Sequence, residues 1–498
     1  MTLSIQQVAV IGAGTMGLGI AQVAAQAGHT VWLYDVDSQQ LKLALADFEQ
    51  RLASRVSRNR ISQGEADELL ARVLTTTNLS ELAKSDLVIE AIIENLDIKQ
   101  QLFSELEELC SEQCVFASNT SSISITAIGS VLNHPERLAG LHFFNPAPVM
   151  KLVEVISGLA TTPQVRNNLL ELARKWGKIA VSASSTPGFI VNRIARPYYG
   201  ETLRALQEGC ATPSMLDTLL RNSGGFPMGA CELTDLIGQD VNFAVSQSVY
   251  QAFFDEPRYR PSLIQQALVA AGRLGRKSGQ GFYSYPSASE AVGTAEDCQS
   301  FAPKHLIVEG DWSFLPGFNA LLKSYQGEII YQSGCPAILI DGVRVELTNG
   351  QSSTLRHPGQ AAIAFDWAED YATTSHIALG ASQFCSEIQV HAVVGFFQSL
   401  NKEVILLSDH PGLLVLRTLA MLVNEAAEAC LHQVATPEDI DLAMRFGVNY
   451  PKGPIAWGAD IGYQRLLSLL ENLQQQYGEE KYRPSLMLRH WAVQEATL

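Results

Sequence analysis

The sequence predicts an α/β domain, a mainly α-helical domain, a second and smaller α/β domain and a second helical domain, in that order. Three observations predict it. Residues 8–35 read as an apolar strand, a Gly-rich turn, a helix and another strand that closes on an acidic residue. A block that starts at Thr186-Pro187-Gly188 returns late in the chain at a fixed offset. Between the two blocks, short apolar runs of strand length replace helical periodicity.

Composition fits several cores. A chain of 498 residues exceeds one ordinary domain. Apolar residues make up 47% and charged residues 17%, which predicts large buried cores and excludes wholesale disorder. A net charge of −16 argues against a nucleic-acid partner, so anionic ligands must be met by local basic groups or helix ends. No secretory leader and no apolar run of transmembrane length is visible, so the expectation is a cytoplasmic protein without a membrane. Eight scattered cysteines lack Cys-x-x-Cys spacing, which predicts reduced thiols and no metal site.

The opening unit is the most specific. Val8-Ala-Val-Ile11 leads into Gly12-Ala-Gly14-Thr-Met-Gly17, and Val31-Trp-Leu-Tyr34 ends at Asp35. These are the parts of a Rossmann-type dinucleotide-binding βαβ unit. Gly12 permits the tight turn, Gly14 lets backbone amides reach a pyrophosphate, and Gly17 lets helix pack on strand. The phosphates would sit at the helix amino end, where free N–H groups favour negative charge. Asp35, placed to accept from a ribose diol, repels a 2′-phosphate and selects NAD over NADP.

The repeat holds over a long stretch. Pro187-Gly188-Phe-Ile-Val-Asn192-Arg193 recurs as Pro411-Gly412-Leu-Leu-Val-Leu416-Arg417, an offset of 224 residues. Ala211-Thr212-Pro213 against Ala435-Thr436-Pro437 keeps it, and Tyr259-Arg-Pro-Ser-Leu263 returns as Tyr482-Arg-Pro-Ser-Leu486. Long amphipathic stretches, 190–208 and 414–431, open the two copies. Between them, Glu328-Ile-Ile-Tyr, Ala337-Ile-Leu-Ile, Ala362-Ile-Ala-Phe and Glu403-Val-Ile-Leu-Leu read as buried parallel strands. With no Gly-x-Gly-x-x-Gly, this reduced Rossmann-like region is expected not to bind a dinucleotide. The expected domains are 1–186, 187–286, 287–409 and 410–498.

The chemistry gathers before the first helical copy. Leu138 to Ile156 reads as strand, proline-rich turn, strand, with His142 in the first strand and Glu154 on the apolar face of the second. A carboxylate there needs a partner, and the turn can return it beside His142. Such a pair fixes the imidazole tautomer and stabilises the imidazolium formed on proton uptake; a core histidine with an unrelated glutamate is the alternative. Ser118-Asn119-Thr-Ser121-Ser122 follows the run Val115-Phe-Ala, at the strand end where open α/β sheets bind ligands. Read alone, that run is also an ordinary capping turn. Asp86-Leu-Val-Ile89-Glu90-Ala-Ile-Ile-Glu94 reads as another buried strand with Glu94 and Lys99 at and beyond its end, and a surface salt bridge is the simplest reading of that pair.

The Gly-rich turn, Glu94-Asn95, Ser118-Asn-Thr-Ser-Ser122, His142-Phe-Phe-Asn-Pro146 and Pro187-Gly-Phe-Ile-Val-Asn192-Arg193 occur in the order found in the 3-hydroxyacyl-CoA dehydrogenases, which this chain resembles over nearly its whole length. The resemblance implies NAD-dependent oxidation of a 3-hydroxyacyl-CoA thioester, with His142 as general base and Glu154 as its partner. It implies that Ser121 and Asn192 hold the reacting oxygen, and that Asp35, Glu94, Lys99 and Asn119 contact NAD beside Gly12, Gly14 and Gly17. A non-catalytic NAD-binding relative is the rival reading, against which the joint presence of Ser121, His142, Glu154 and Asn192 counts.

Three further expectations follow. Leu416 stands where the first copy has Asn192, so one active site per chain is expected. The second helical copy is expected to pack on the first, imitating the dimer contact of shorter family members, and a homodimer through other surfaces stays open. Arg51, Arg55 and Arg58 form one helical stripe near Arg60, suited to CoA phosphates or simply to solvent. A terminally carboxylated acyl chain would call for a basic group, with Arg193 and Arg196 as candidates that could equally be structural.

Overall fold

The computed structural model describes residues 5–285 and 293–497, and the chain divides into two compact units. The expected boundary between 286 and 287 lies outside the described residues.

The first unit runs to Arg193 and takes in His432–Val448 from the second repeat. Its sheet has eight strands, β1 (Gln7–Ile11), β2 (Thr30–Tyr34), β3 (Val73–Thr76), β4 (Leu87–Glu90), β5 (Val115–Ser118), β6 (Leu138–Phe143), β7 (Leu152–Ser157) and β8 (Ile179–Ser184), in the order β3-β2-β1-β4-β5-β6-β7-β8. The order reverses beside β1, the switch point at which such sheets bind ligands. Strands β1 to β6 run parallel and β7 turns back antiparallel to β6. Continuous apolar runs make this possible: β4, β5 and β6 are buried at every residue, as strands covered on both faces must be.

Residues from the second repeat complete that sheet. The helix Pro437–Gly447 packs on β7 and β8. Ser184 donates its amide to Val434 O at 2.8 Å and its hydroxyl to Gln433 O at 2.9 Å, and the Ser182 amide donates to Asp439 Oδ2 at 3.2 Å. Gly447 sits so close that a Cβ would lie 2.7 Å from Leu152 Cδ2.

The second unit holds Ile194–Leu431 and the chain from Asn449 onward. Its strands are β9 (His305–Glu309), β10 (Glu328–Gln332), β11 (Ala337–Ile340), β12 (Val343–Leu347), β13 (Ala362–Phe365), β14 (His376–Ala381) and β15 (Glu403–Leu407), in the order β10-β9-β11-β12-β13-β14-β15. The expectation of buried parallel strands needs correction. The sheet is mixed: β11 is antiparallel to both β9 and β12, and β13 to β14. The link from β10 to β11 is too short for a crossover, so the chain must reverse. Asp341-Gly342, both with positive φ, then turns β11 tightly into β12. Strand β10 is an edge, with Ile330 and Tyr331 exposed.

The first helical copy is also broken where one long stretch was expected. It has a short turn, Val191–Ile194, and a helix, Arg196–Gln207, with Pro197 in its first turn; Val415–Leu431 is continuous. Within the second unit these two helices pack on each other, as expected of the repeat. Their contact is reciprocal. Glu201 accepts from Arg417 Nε at 2.6 Å and the Tyr482 hydroxyl at 3.2 Å, and pairs with the Lys481 ammonium at 2.8 Å. Glu425, 224 residues on, accepts from the Tyr259 hydroxyl at 2.5 Å and Arg258 at 3.4 Å. Each copy therefore offers a buried glutamate to the other's basic–tyrosine pair, the self-complementary pattern of a two-fold contact.

Candidate active site

His142 and Glu154 face each other across the antiparallel pair β6–β7. His142 Nδ1 lies 2.6 Å from Glu154 Oε2, with the residues 6% and 1% exposed. Phe144 and Phe189 crowd the ring, centroids at 4.5 and 5.9 Å. Glu154 has a second duty: Oε1 accepts from the amides of Ile190 and Val191, both at 3.1 Å. One carboxylate thus orients the imidazole and pins the start of the turn Val191–Ile194 that carries Asn192. Its buried oxygens are satisfied on both sides, which makes its burial tolerable.

The loop after β5 is organised by two carboxylates. Glu94 Oε1 accepts from the Thr120 hydroxyl at 2.6 Å, the Ser121 amide at 3.0 Å and the Ser122 amide and hydroxyl at 3.1 and 2.8 Å. Burial opposes its ionisation, but these donors and the Lys99 ammonium outweigh burial and hold its carboxyl below the usual range. Lys99 is 1% exposed, so this is no surface salt bridge: Nζ lies 2.5 Å from Glu90 Oε1 and 3.3 Å from Glu94 Oε2. Glu90, at the end of β4, also accepts from Ser118 Oγ at 2.5 Å and the Ile92 amide at 2.8 Å. Asn119 Oδ1 takes the Phe143 amide at 2.8 Å, tying the loop to the strand of His142. Glu90 and Thr120 were not among the expected residues. The only sequence signal for Glu90 is a carboxylate closing an apolar run.

The Gly-rich turn is crowded at two of its glycines and open at the third. Gly12 has φ +98°, and a Cβ there would meet Ala91 O at 2.6 Å. A Cβ on Gly17 would fall 1.8 Å from Gly12 O, so the helix Thr15–Gln26 can seat on β1 only without one. At Gly14 a Cβ would meet nothing within 4 Å, and no side chain caps this helix start. Open space before uncapped amides suits a pyrophosphate. Asp35 Oδ2 accepts from the Ala13 amide at 2.8 Å and Oδ1 from the Asp37 amide at 3.0 Å, leaving acceptor capacity for a ribose diol.

Of the basic candidates, Arg51, Arg193 and Arg196 have partners within the chain. Arg51 pairs with Asp47 at 2.5 Å, and the helix carrying Arg51 and Arg55 ends at Ser57, which takes Arg58 out of the stripe. Arg193 is 1% exposed beside His432 at 3.3 Å. Arg196, buried over the Tyr199 ring, donates to Ser246 Oγ at 3.0 Å.

Residues 7–186 match the family model for the 3-hydroxyacyl-CoA dehydrogenase NAD-binding domain. Residues 188–285 and 412–496 match that of its C-terminal domain, and 345–411 that of a 3-hydroxybutyryl-CoA dehydrogenase reduced Rossmann-fold domain. The chain belongs to the 3-hydroxyacyl-CoA dehydrogenase family. The dehydrogenase uses NAD. It is 46% identical to the 3-hydroxyadipyl-CoA dehydrogenase of Escherichia coli K12, covering 100% of this chain and 99% of that one. A solved 3-hydroxybutyryl-CoA dehydrogenase from Escherichia coli K12 matches at 46% identity with a TM-score of 0.91, over 99% of this chain and 100% of that one. A probable 3-hydroxybutyryl-CoA dehydrogenase of Bacillus subtilis is 40% identical over 57% of this chain and 98% of its own length.

The repeat reaches into the second sheet of the dehydrogenase. At the same 224-residue offset, Asp366 stands for His142 and Ala378 for Glu154. Asp366 carries no imidazole, yet its carboxylate accepts from the amides of Leu414, Val415 and Leu416 at 2.7–3.0 Å. Burial pushes it up to about 6 against the pull of those amides. The second copy has kept the pinning contact that Glu154 makes and has no histidine beside it.

Proposed function

We propose that this enzyme oxidises an (S)-3-hydroxyacyl-CoA thioester to the 3-oxoacyl-CoA, with His142 as general base, and that the acyl group is 3-hydroxyadipyl. The observation that carries the reaction is the buried 2.6 Å contact between His142 and Glu154. His142 takes the proton of the 3-hydroxyl on the ring nitrogen remote from Glu154, and Glu154 stabilises the imidazolium so formed. Ser121 and Asn192 hold the reacting oxygen. Phe144 and Phe189 keep water from the ring. Gly12, Gly14, Gly17, Asp35, Glu94, Lys99 and Asn119 would shape or line the site of NAD, which when bound would supply the hydride acceptor.

The adipyl reading is supported by a relative that matches end to end and carries that substrate in its name. The solved structure of equal coverage is named for butyryl, which makes (S)-3-hydroxybutyryl-CoA the second reading. The family matches also support the division into 1–186, 187–286, 287–409 and 410–498. Among the described residues no helix is long and apolar enough to cross a membrane.

Steady-state kinetics of the wild type and His142→Gln on both thioesters test this. A hundredfold preference for adipyl, ~2.7 kcal/mol in transition-state binding, is expected. His142→Gln is expected to lower kcat by about 10²–10⁴ on either substrate. A butyryl preference would overturn the acyl assignment alone; an unimpaired His142→Gln would overturn the mechanism.

A further inference from the structure

The second sheet has no histidine in the place of His142 and no Gly-rich turn, yet its ligand-binding edge is not filled. A cavity of 410 Å³ opens there. Trp312 and Phe314 reach it from beyond β9, Pro336 from just before the antiparallel β11, and Leu347, Thr348 and Asn349 from the end of β12. Arg465 and Leu469, on the helix Tyr463–Tyr477, close the other side. Every lining residue belongs to the second unit.

Two of these residues hold unused polar capacity. Thr348-Asn349 follows β12 as Ser118-Asn119 closes β5. Ser118 has the Glu90 carboxylate on the neighbouring parallel strand, whereas β12 lies between the antiparallel β11 and the parallel β13, and among the described residues neither supplies Thr348 with a side-chain partner. The Thr348 side chain, 2% exposed, accordingly has a buried hydroxyl with no hydrogen-bond partner among the described residues. A buried hydroxyl left so costs roughly 1–3 kcal/mol.

Arg465 is the second. Its guanidinium stacks on the Phe314 ring at 3.9 Å and donates Nε to Ile461 O at 3.3 Å, with no carboxylate within 4.0 Å among the described residues. The other cations at this edge are matched: Arg356 pairs with Glu346 at 2.7 Å and Arg344 with Glu309 at 2.8 Å. Arg465 feels Glu495 only from beyond ion-pair distance, and the other charges lining this mostly apolar cavity, Glu346 and Arg356, pair with each other, so the Arg465 guanidinium marks a place for an anion.

We propose that this cavity binds a small monocarboxylate with a hydrocarbon body, its carboxylate on Arg465 and Thr348. One guanidinium without a direct ion pair can take one negative charge, and its planar fork fits a carboxylate. Trp312, Phe314, Pro336, Leu347 and Leu469 offer an apolar wall that a phosphate or a sugar would not use. The volume accommodates a ligand of about six to ten carbons. The ligand is thus a free acid, distinct from the thioester handled in the first unit.

Isothermal titration of the full-length protein, saturated with NADH, with hexanoate, hexanol and inorganic phosphate tests the assignment. Saturable hexanoate binding is expected, at least tenfold tighter than hexanol, with no phosphate binding. Arg465→Met is expected to weaken hexanoate tenfold or more and leave hexanol unchanged. Thr348→Val, nearly isosteric, is expected to weaken hexanoate severalfold and serves if Arg465→Met does not fold. Both variants are expected to keep wild-type kcat. Hexanoate binding that is absent, or indifferent to both substitutions, would overturn the proposal, and so would phosphate binding lost in Arg465→Met.

Discussion

Gly14 and Gly17 belong to one turn and answer a methyl group differently. At Gly17 an added Cβ would lie 1.8 Å from Gly12 O, so Gly17→Ala must lift the helix from its strand. At Gly14 the same Cβ meets nothing, and its only obstacle is the ligand. Gly14→Ala is therefore expected to keep the wild-type Tm while weakening NADH by about tenfold, ~1.4 kcal/mol. Gly17→Ala is expected to lose both Tm and NADH binding. Thermal denaturation beside an NADH fluorescence titration separates the two, and an unchanged affinity in Gly14→Ala would move the pyrophosphate away from this turn. That turn was readable in the sequence because fixed spacing carries its geometry. The His142–Glu154 pair was readable because strand alternation put a carboxylate on an apolar face. Glu90 and Thr120 were not: their partners are Lys99, Ser118 and Glu94, and only the fold makes neighbours of strand ends so far apart in the chain.

The helices Arg196–Gln207 and Val415–Leu431 owe their contact to buried charge as well as to apolar packing. Glu201 is fully buried between Arg417 and Lys481, and burial alone would raise its pKa; the two cations overcome that and bring it down to about 2. In the unfolded chain it would titrate near 4.5. A depressed folded value means that this stabilisation is fully present above pH 4.5 and is lost as pH falls toward 2, in all about 3 kcal/mol. Glu201→Gln leaves Arg417 and Lys481 short of a carboxylate, so its urea midpoint should fall well below wild type at pH 6. The gap should narrow steadily between pH 4.5 and 2.5. A gap independent of pH would mean that shape, not charge, makes this contact. The repeat was visible from its constant offset, but which faces meet was not, since Glu201 and Glu425 look like ordinary helix-surface glutamates. The direction of strand β11 was misread for a related reason. An apolar run announces a strand, whereas its direction depends on the connection, and the Asp341-Gly342 turn was the overlooked signal.

Relatives that match 57% of this chain along 98% of their own length show that the first half can exist as a whole protein. Here that half has given part of its completion to the second. The sheet edge that carries Glu154 on β7 is packed by the helix Pro437–Gly447, and Ser182 and Ser184 on β8 bond to residues 433–439. Glu201 in the first helical copy is neutralised from the second. A fragment of residues 1–290 would expose these surfaces to water, including the apolar side of Leu152 and Val191 against which Gly447 lies. Such surfaces drive association. The fragment is therefore expected to self-associate or precipitate, with kcat/KM down at least about tenfold, ~1.4 kcal/mol. Adding residues 293–498, made separately, should return it to a single 1:1 species with recovered activity, read by light scattering and NADH production. If residues 1–290 stayed monomeric, soluble and fully active, the packing of residues 432–448 on β7 and β8 would be dispensable. Retention of the second repeat would then have to rest on what its own cavity binds.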